Sequence, residues 1–443
     1  MNVKRCRGLL TAALLASVAS VALLPVPVSA ATADQLQKRI EALEQKYGSM
    51  GQELLQLKRE LLESQQKVES ATKKAVAAQK KANQAEKRAR QATKEATVED
   101  NRAIKWHLAG FGTADYTHTN KGTPNDLFGA SFNPIFLVSY KDLALFESEL
   151  ELTTASDGGT DLELEFANLN VMATDWLTFT AGKFLSPIGD FQQHLHPSWI
   201  NKLPDRPAGF VDDGAIPLSD IGVMARGAFP VGETMSADYA VYVGNGPQID
   251  SNAGVAMEGF GGDNNDNKAV GGRIGFRPLP YVNVGVSVMT AKVAGNAGTG
   301  GPTPTQSTLN VWDVDAAFTR GNWDIRGEYV RLRLDSLTSA LASDELAQFI
   351  PGTTWHAWYA QAAYRLAGVT DHPILRNFEP VFRYSEVSVS GFSDFAAAEE
   401  QRWTAGLDYW FGPSLVAKAA FEHRDFNHDP NEDVVRVQLG FGF

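Results

Sequence analysis

The distribution of apolar residues changes near residue 100, and this change divides the chain into two parts. From Leu36 to Ala92, apolar and small residues recur at intervals of three and four positions, with charged residues and glutamines between them. A strict heptad repeat of this length is typical of an oligomeric coiled coil. We therefore predict an α-helical coiled coil over residues 31–100, with one amphipathic helix on a domain surface as the alternative.

From residue 101 onward, apolar and polar residues alternate with a period of two. In one segment, for example, Val282, Val284 and Val286 fall on the same face. This period is that of β-strands whose two faces meet different surroundings. Most segments contain about ten residues, the length with which a tilted strand crosses a bilayer. Sixteen strands are predicted, near residues 104–117, 132–141, 143–153, 162–172, 175–184, 219–229, 236–244, 269–277, 281–290, 309–319, 322–334, 354–366, 376–390, 400–411, 414–424 and 433–443.

The connections between these strands alternate between seven short turns and eight longer polar loops. Outer-membrane β-barrels have this arrangement, with short turns at one end and longer loops at the other. The predicted fold of residues 101–443 is therefore an all-β transmembrane barrel of about sixteen antiparallel strands in the lipid bilayer. A secreted soluble β-domain is the alternative.

The first thirty residues have the features of a secretory signal peptide. A basic start is followed by an apolar stretch and by the small residues Val28, Ser29 and Ala30. We predict cleavage after Ala30, with an uncleaved membrane anchor as the alternative. The single cysteine, Cys6, lies within this segment, so the exported chain would contain no disulfide. The predicted location is the bacterial outer membrane, with the coiled coil in the periplasm.

Charged residues at lumen-facing positions are the candidates for function in such a barrel. Acidic residues repeated with a period of two cannot face lipid without a large cost in free energy, so we expect them to line water. The predicted acidic row comprises Glu147, Glu149, Glu151, Glu163 and Glu165, and the predicted basic row comprises Arg226, Arg273, Arg326, Arg365, Arg383 and Arg436. Each arginine has an alternative, structural role, in which it pairs with a lumen carboxylate such as Asp313, Asp315, Asp324 or Glu328.

The longest connection spans residues 185–218 and is the third of the long loops. A connection of this length in a compact barrel is usually functional. We therefore expect a functional loop, whose charged residues are candidates for a constriction of the lumen; packing on a neighbouring subunit is the alternative. The candidate constriction residues are Lys183, His194, His196, Lys202, Arg206, Asp212 and Asp213. The two histidines could form a metal trio with Asp190, but such loose spacing is common by chance, and no metal site is predicted.

The charge balance leaves the sign of a transported ion open. Residues 101–443 contain 23 Lys and Arg residues against 41 Asp and Glu residues. A phosphate channel requires a strongly basic lumen, so the acidic residues would then have to lie in external loops. The sequence has no nucleophile-elbow motif and no phosphate-binding glycine loop. We predict no enzyme activity, no cofactor and no nucleic-acid partner.

The whole arrangement resembles trimeric outer-membrane porins of the phosphate-selective porin O/P type and the related dicarboxylate channels that carry a coiled coil. Locally, Ala181–Phe191 is similar to that family's Gly-x-Phe-x-x-Pro-x-Gly run, and the terminal Phe443 resembles a barrel assembly signal. The resemblance implies a homotrimer, a third long loop that folds into the lumen and narrows the channel, and passive diffusion of small polar or anionic solutes such as phosphate or dicarboxylates. The alternative function is a structural anchor whose coiled-coil stalk reaches toward the peptidoglycan.

Overall fold

The computed structural model describes a continuous barrel and scattered positions before it. The described residues are 103–121, 126–155, 157–211, 214–250, 254–340, 345–391, 399–427 and 429–443, with single positions and short runs between 38 and 87. The chain divides into two units, residues 1–99 and residues 100–443. The described positions of the first unit are helical, but most of the heptad repeat and the whole signal peptide lie outside the described residues. The coiled coil and the signal peptide therefore stay predictions.

In the part of the chain that is described, no helix combines the length and the apolar character needed to cross a membrane.

The second unit is a closed antiparallel barrel of sixteen strands, which confirms the predicted fold of this part. In chain order its strands are β1 (Ile104–Thr119), β2 (Asp126–Tyr140), β3 (Ala144–Thr154), β4 (Thr160–Thr174), β5 (Leu177–Leu185), β6 (Ser219–Val231), β7 (Met235–Gly244), β10 (Ala269–Leu279), β11 (Val282–Ala294), β12 (Gln306–Arg320), β13 (Trp323–Leu334), β16 (Thr353–Tyr364), β17 (Phe378–Ser390), β18 (Glu400–Trp410), β19 (Leu415–Phe426) and β20 (Glu432–Gly442). Two short hairpins lie in the long loops: β8 (Gln248–Asp250) with β9 (Gly254–Ala256), and β14 (Leu337–Ser339) with β15 (Gln348–Ile350).

The period-two pattern explains the two faces of the barrel wall. On β20, Val437, Leu439 and Phe441 point away from the lumen and are between 46% and 48% exposed. Gln438, on the opposite face of the same strand, is 3% exposed. An apolar outer face and a polar lumen face are what a strand between lipid and water requires.

The last residue of the chain helps to close the barrel. The backbone N–H of Gly110 donates to the Phe443 carbonyl at 3.1 Å, and the Phe443 N–H donates to the Gly110 carbonyl at 2.9 Å. The Phe443 ring lies 6.2 Å from the Phe132 ring. Gly110 has a φ of +153°, and a Cβ there would lie 2.4 Å from the Asn133 carbonyl oxygen. A side chain at position 110 would therefore disturb the closing seam.

The structure differs from the predicted strands mainly in two respects, besides strand ends that shift by up to four residues. β2 begins at Asp126, six residues earlier than predicted, because Gly129, Ala130 and Ser131 give too little contrast between apolar and polar positions. The hairpins β8–β9 and β14–β15 were not predicted, because a three-residue strand is too short to show a period.

Candidate pore and the loop that narrows it

The third long loop, residues 186–218, lies inside the barrel; we call it the inner loop. The backbone N–H of Gly189 donates to the Ser287 hydroxyl on β11 at 3.1 Å. The backbone N–H of Phe191 donates to Glu328 Oε2 on β13 at 2.9 Å. Both acceptors are buried on the lumen face of their strands, so the loop crosses the lumen and contacts the opposite wall.

An aromatic cluster fixes one side of the inner loop. Phe191 and Phe210 of the loop pack against Tyr359 of β16, with ring centroids 5.8 Å and 5.1 Å from the tyrosine ring. All three side chains are buried. The lumen face beneath them is apolar and includes Val330, Leu332, Ala357, Val387 and Val389. This side of the lumen is therefore filled with packed side chains.

Four arginines fix the other side of the inner loop through Asp205. Its Oδ2 lies 2.6 Å from Arg402 of β18, 3.0 Å from Arg424 of β19 and 3.6 Å from Arg436 of β20. Arg383 of β17 donates to the Asp205 backbone carbonyl at 2.9 Å. Burial by itself would raise the pKa of Asp205, but the four guanidiniums outweigh it and hold that pKa well below its usual range.

The same arginines also pair with carboxylates of the wall. Arg402 contacts Glu400 at 2.6 Å, Arg424 contacts Glu422 at 2.7 Å, and Arg436 contacts Glu422 at 3.1 Å. The arginines of β18–β20 therefore belong to a network with several carboxylates. Their positive charges are therefore largely compensated by neighbouring carboxylates.

The other four predicted basic residues lie apart from this network and have partners of their own. Arg226 lies 3.7 Å from Glu147. Arg273 pairs with Asp315 at 2.6 Å, and Arg326 pairs with Asp324 at 2.7 Å, as in the structural alternative. Arg365 lies just beyond β16, and its guanidinium is 5.0 Å from the Trp410 ring. The six arginines thus do not form a single row.

The predicted constriction residues are dispersed around the lumen. His194 Nδ1 lies 2.9 Å from Asp190. Burial by itself would raise the pKa of Asp190, but His194, Arg273 and Arg326 together hold that pKa below its usual value. Lys202 pairs with Glu379 at 3.0 Å. Lys183 belongs to β5 and is half-buried; Asp212 and Asp213 lie outside the described residues.

The second histidine of the inner loop has different partners from the first. His196 donates from Nδ1 to the Gln192 carbonyl at 2.8 Å, and its Nε2 lies 3.8 Å from Glu149. His194, His196 and Asp190 therefore do not converge on one point. No group of three His, Cys, Asp or Glu residues placed to hold a metal ion occurs in the described ranges.

A cavity of about 310 Å³ remains between the inner loop and the wall formed by β1, β2, β3 and β20. It is the candidate passage for solutes. Its charged lining consists of Asp115, Glu149, Glu151, Asp205, Arg206 and Arg436, and the His196 imidazole also lines it. Glu163 lies directly opposite Glu151 in the strand register, and Glu165 interacts with Glu151. Of the predicted acidic row, Glu149 and Glu151 therefore line the cavity, and Glu163 and Glu165 adjoin Glu151.

Glycines of the last strand accommodate the inner loop. The lumen-facing Gly440 and Gly442 of β20 lie against Trp199. A Cβ at Gly442 would lie 2.6 Å from Trp199 Cε2. Nearby, the buried Lys418 donates from Nζ to the Asn201 carbonyl at 2.5 Å. These contacts hold the loop close to the seam of the barrel.

Sequence reasoning did not single out Arg402, Arg424, Lys418 or Asp115, and it named Asp205 only as one of the charged residues of the long loop. Arg402 and Arg424 share the lumen parity of Arg383 and Arg436 in neighbouring strands, so the alternation could have identified them. The role of Asp205 had no such signal, because it depends on the path of the loop.

Comparison with known proteins gives relatives in sequence and in fold. No protein-family model matches the chain. The chain is 23% identical over 367 residues to an uncharacterized protein of Aquifex aeolicus (strain VF5). The aligned region covers 76% of this chain and 79% of that protein.

Solved structures of similar fold are outer-membrane proteins. OmpF of Salmonella typhi, in complex with daunomycin, has a TM-score of 0.52 at 13% identity, covering 78% of this chain and 99% of that chain. An anion-selective porin from Comamonas acidovorans has a TM-score of 0.50 at 11% identity, covering 77% and 100%. OmpT of Vibrio cholerae in its trimer form has a TM-score of 0.50 at 12% identity, also covering 77% and 100%. The chain therefore has the sixteen-stranded barrel fold of the outer-membrane porins.

Proposed function

We propose that this protein is an outer-membrane porin that allows small polar solutes to diffuse passively through each barrel. The observation that supports this proposal is the charged cavity between the inner loop and the wall of β1–β3 and β20. A closed barrel satisfies its backbone hydrogen bonds without an edge, and its apolar outer face suits lipid. A loop held on two sides of the lumen would set the width of the passage.

The lining of the passage favours cations over anions. Four carboxylates line it against two guanidiniums, and Arg436 is already paired with Glu422. Asp205 is neutralised by its arginines, which leaves Asp115, Glu149 and Glu151 as the dominant charges. Charged rings of one sign in a narrow pore select ions of the opposite sign. Transport of phosphate or dicarboxylates, which the family resemblance implies, stays a prediction. The excess of carboxylates over guanidiniums in the passage does not favour it.

The reversal potential across a salt gradient in a planar bilayer tests the charge preference. We expect the wild-type protein to prefer cations and the variant Glu149→Gln/Glu151→Gln to lose most of this preference. The control is Asp157→Asn, which removes a carboxylate from an exposed loop outside the passage. An anion-favouring potential in the wild type would restore the phosphate or dicarboxylate prediction, and absence of conductance would contradict a pore.

Assembly and orientation are part of the same proposal. Both ends of the barrel chain lie at the short-turn end, which in outer-membrane barrels faces the periplasm. A coiled coil formed by residues 31–100 would then extend into the periplasm after removal of the signal peptide. Conductance steps grouped in threes would support the homotrimer that the sequence resemblance implies.

The alternative function, a structural anchor, rests on the long heptad repeat. Deletion of residues 31–100 separates the two functions, because a channel needs only the barrel whereas an anchor needs the stalk. We expect the deletion variant to keep wild-type single-channel conductance and to lose co-sedimentation with purified peptidoglycan. Loss of conductance with the stalk would contradict an independent barrel channel, and unchanged co-sedimentation would contradict the anchor.

A further inference from the structure

Basic side chains occur together on the outer face of the barrel, at the end that carries the long loops. Lys292 of β11, Arg331 and Arg333 of β13, and His356 of β16 occupy outward positions there. They continue the rows of outward apolar residues such as Val288, which is 58% exposed. We call these four side chains the basic patch.

The strand register brings the members of the basic patch together. Arg331 lies directly opposite Trp312 on one neighbouring strand and His356 on the other. Arg333 lies opposite Asn310 and one outward step from Arg331. Side chains directly opposite each other have Cβ atoms roughly 5 Å apart. Arg331 and Arg333 are two residues apart on one face of β13, a rise of roughly 7 Å, and their long side chains can span this distance to reach one ligand group together.

The basic patch is only weakly neutralised by the protein. The Nε–H of Arg331 is buried and has no acceptor among the described residues. Arg333 pairs with Asp335 at 3.3 Å, but these side chains are 61% and 49% exposed, and such ion pairs contribute little. The Lys292 ammonium donates to the Thr308 hydroxyl at 2.6 Å and has no ion-pair partner among the residues that the structure describes.

The surroundings of the patch are those of a boundary between lipid and water. On the membrane side, the Trp312 ring lies 5.1 Å from the Tyr329 ring, and the Tyr329 hydroxyl hydrogen-bonds His356 at 2.6 Å. Tryptophan and tyrosine mark the interfacial belts of membrane barrels. On the solvent side, a surface cavity of about 400 Å³ is lined by Arg333, Ser336 and Thr354, among others.

We propose that the basic patch binds the phosphate of a phosphorylated glycolipid in the outer leaflet. The inference rests on the proposed function only in placing the long-loop end at the outer surface of the outer membrane. Guanidiniums form charge-assisted hydrogen bonds with phosphate, and the apolar belt below would contact the acyl chains. The acidic neighbours Asp335 and Glu386 are fewer than the basic residues, and the Tyr384 hydroxyl already donates to Glu386 at 2.8 Å.

The test is titration of the purified full-length protein in detergent with bisphosphorylated lipid A, followed by native mass spectrometry. We expect Arg331→Gln/Arg333→Gln to weaken binding by roughly a hundredfold, since each hydrogen bond to a charged group contributes about tenfold. The variant Arg331→Lys/Arg333→Lys should retain most of the affinity, because it keeps both charges. It also serves as a folded comparison if the glutamine variant is unstable.

The matched control is Arg320→Gln, at the opposite end of the outer face, where the guanidinium lies 4.6 Å from the Tyr281 ring. Equal weakening by this variant, or equal affinity for the same glycolipid without phosphates, would overturn the proposal. Displacement of the glycolipid by millimolar inorganic phosphate would assign the patch to free phosphate and overturn the lipid site. Conductance is measured on the same preparations, so a protein that binds glycolipid without conducting would overturn the porin proposal alone.

Discussion

Replacing Asp205 by asparagine is expected to widen the passage and shift its ion preference toward anions. Among the described carboxylates of the loop, Asp205 is the one on which Arg402, Arg424 and Arg436 converge. Removing one partner of a buried ion pair costs about 3–5 kcal/mol, because the remaining charges are left uncompensated. The loop would lose its carboxylate contacts to β18–β20 and keep only the backbone contacts to Arg383 and Lys418 on this side, and the released guanidiniums would then face the passage.

Single-channel conductance and reversal potential measure this effect directly. We expect a higher conductance and a reversal potential displaced toward the anion value. The matched control is Asp263→Asn, which removes a loop carboxylate that pairs with an exposed lysine, Lys268, at 2.5 Å. Wild-type conductance and wild-type selectivity in Asp205→Asn would contradict a role for this residue in holding the loop.

The low pKa of Asp205 also gives the sign of a pH effect. A carboxyl whose pKa is lowered on folding stabilises the folded state at every pH above its pKa in the unfolded chain, which is about 3.9 for Asp. This stabilisation is lost as the pH falls through the lower pKa of the folded state. The inner loop of the wild-type protein should therefore remain docked at about pH 4. Pepsin at that pH should cleave the loop of Asp205→Asn much faster than the wild-type loop.

The barrel could be predicted from sequence because its signal is repeated sixteen times. Each strand places residues such as Val286 and Leu439 in lipid-facing positions, and a closed barrel leaves no edge strand that could pair differently. The lumen parity of Arg383 and Arg436 followed from the same rule. The contact between Arg402 and Asp205 could not be predicted in this way. These residues lie 197 positions apart, and the loop between β5 and β6 shows no periodic pattern of apolar residues.

Along a single strand, the apolar residues can face outward at one end and the lumen at the other. On β17, Phe382 faces outward, whereas Val387 and Val389 face the lumen beneath the inner loop. On β13, Arg331 and Arg333 are on the outer face, and Val330 and Leu332 are buried inside. Whether a face is apolar depends on whether lipid, water or the inner loop covers it. The sequence of the strand alone does not show which of these lies against each face. A register bulge, as between Glu149 and Leu150 against β4, adds to the ambiguity.

Replacing Phe210 by alanine is expected to detach the apolar side of the inner loop while leaving the barrel intact. Phe210 is fully buried, and its ring centroid lies 5.1 Å from that of Tyr359 and 6.0 Å from that of Phe191. Truncation of a buried phenylalanine costs about 3–5 kcal/mol through lost transfer free energy and the cavity that remains. The backbone hydrogen bonds of the strands do not depend on this ring, so the cost should appear as local opening of the loop.

Hydrogen exchange resolved by residue distinguishes local opening from loss of the barrel. In Phe210→Ala, amides of the inner loop should exchange faster by several orders of magnitude, while those of β16 and β17 keep their protection. The control, Phe421→Ala, removes an outward phenylalanine that is 49% exposed, and it should leave exchange in the loop unchanged. Because Asp205 and Phe210 hold the loop through separate sets of contacts, a wild-type exchange pattern in Phe210→Ala would mean that the arginine network alone positions the loop.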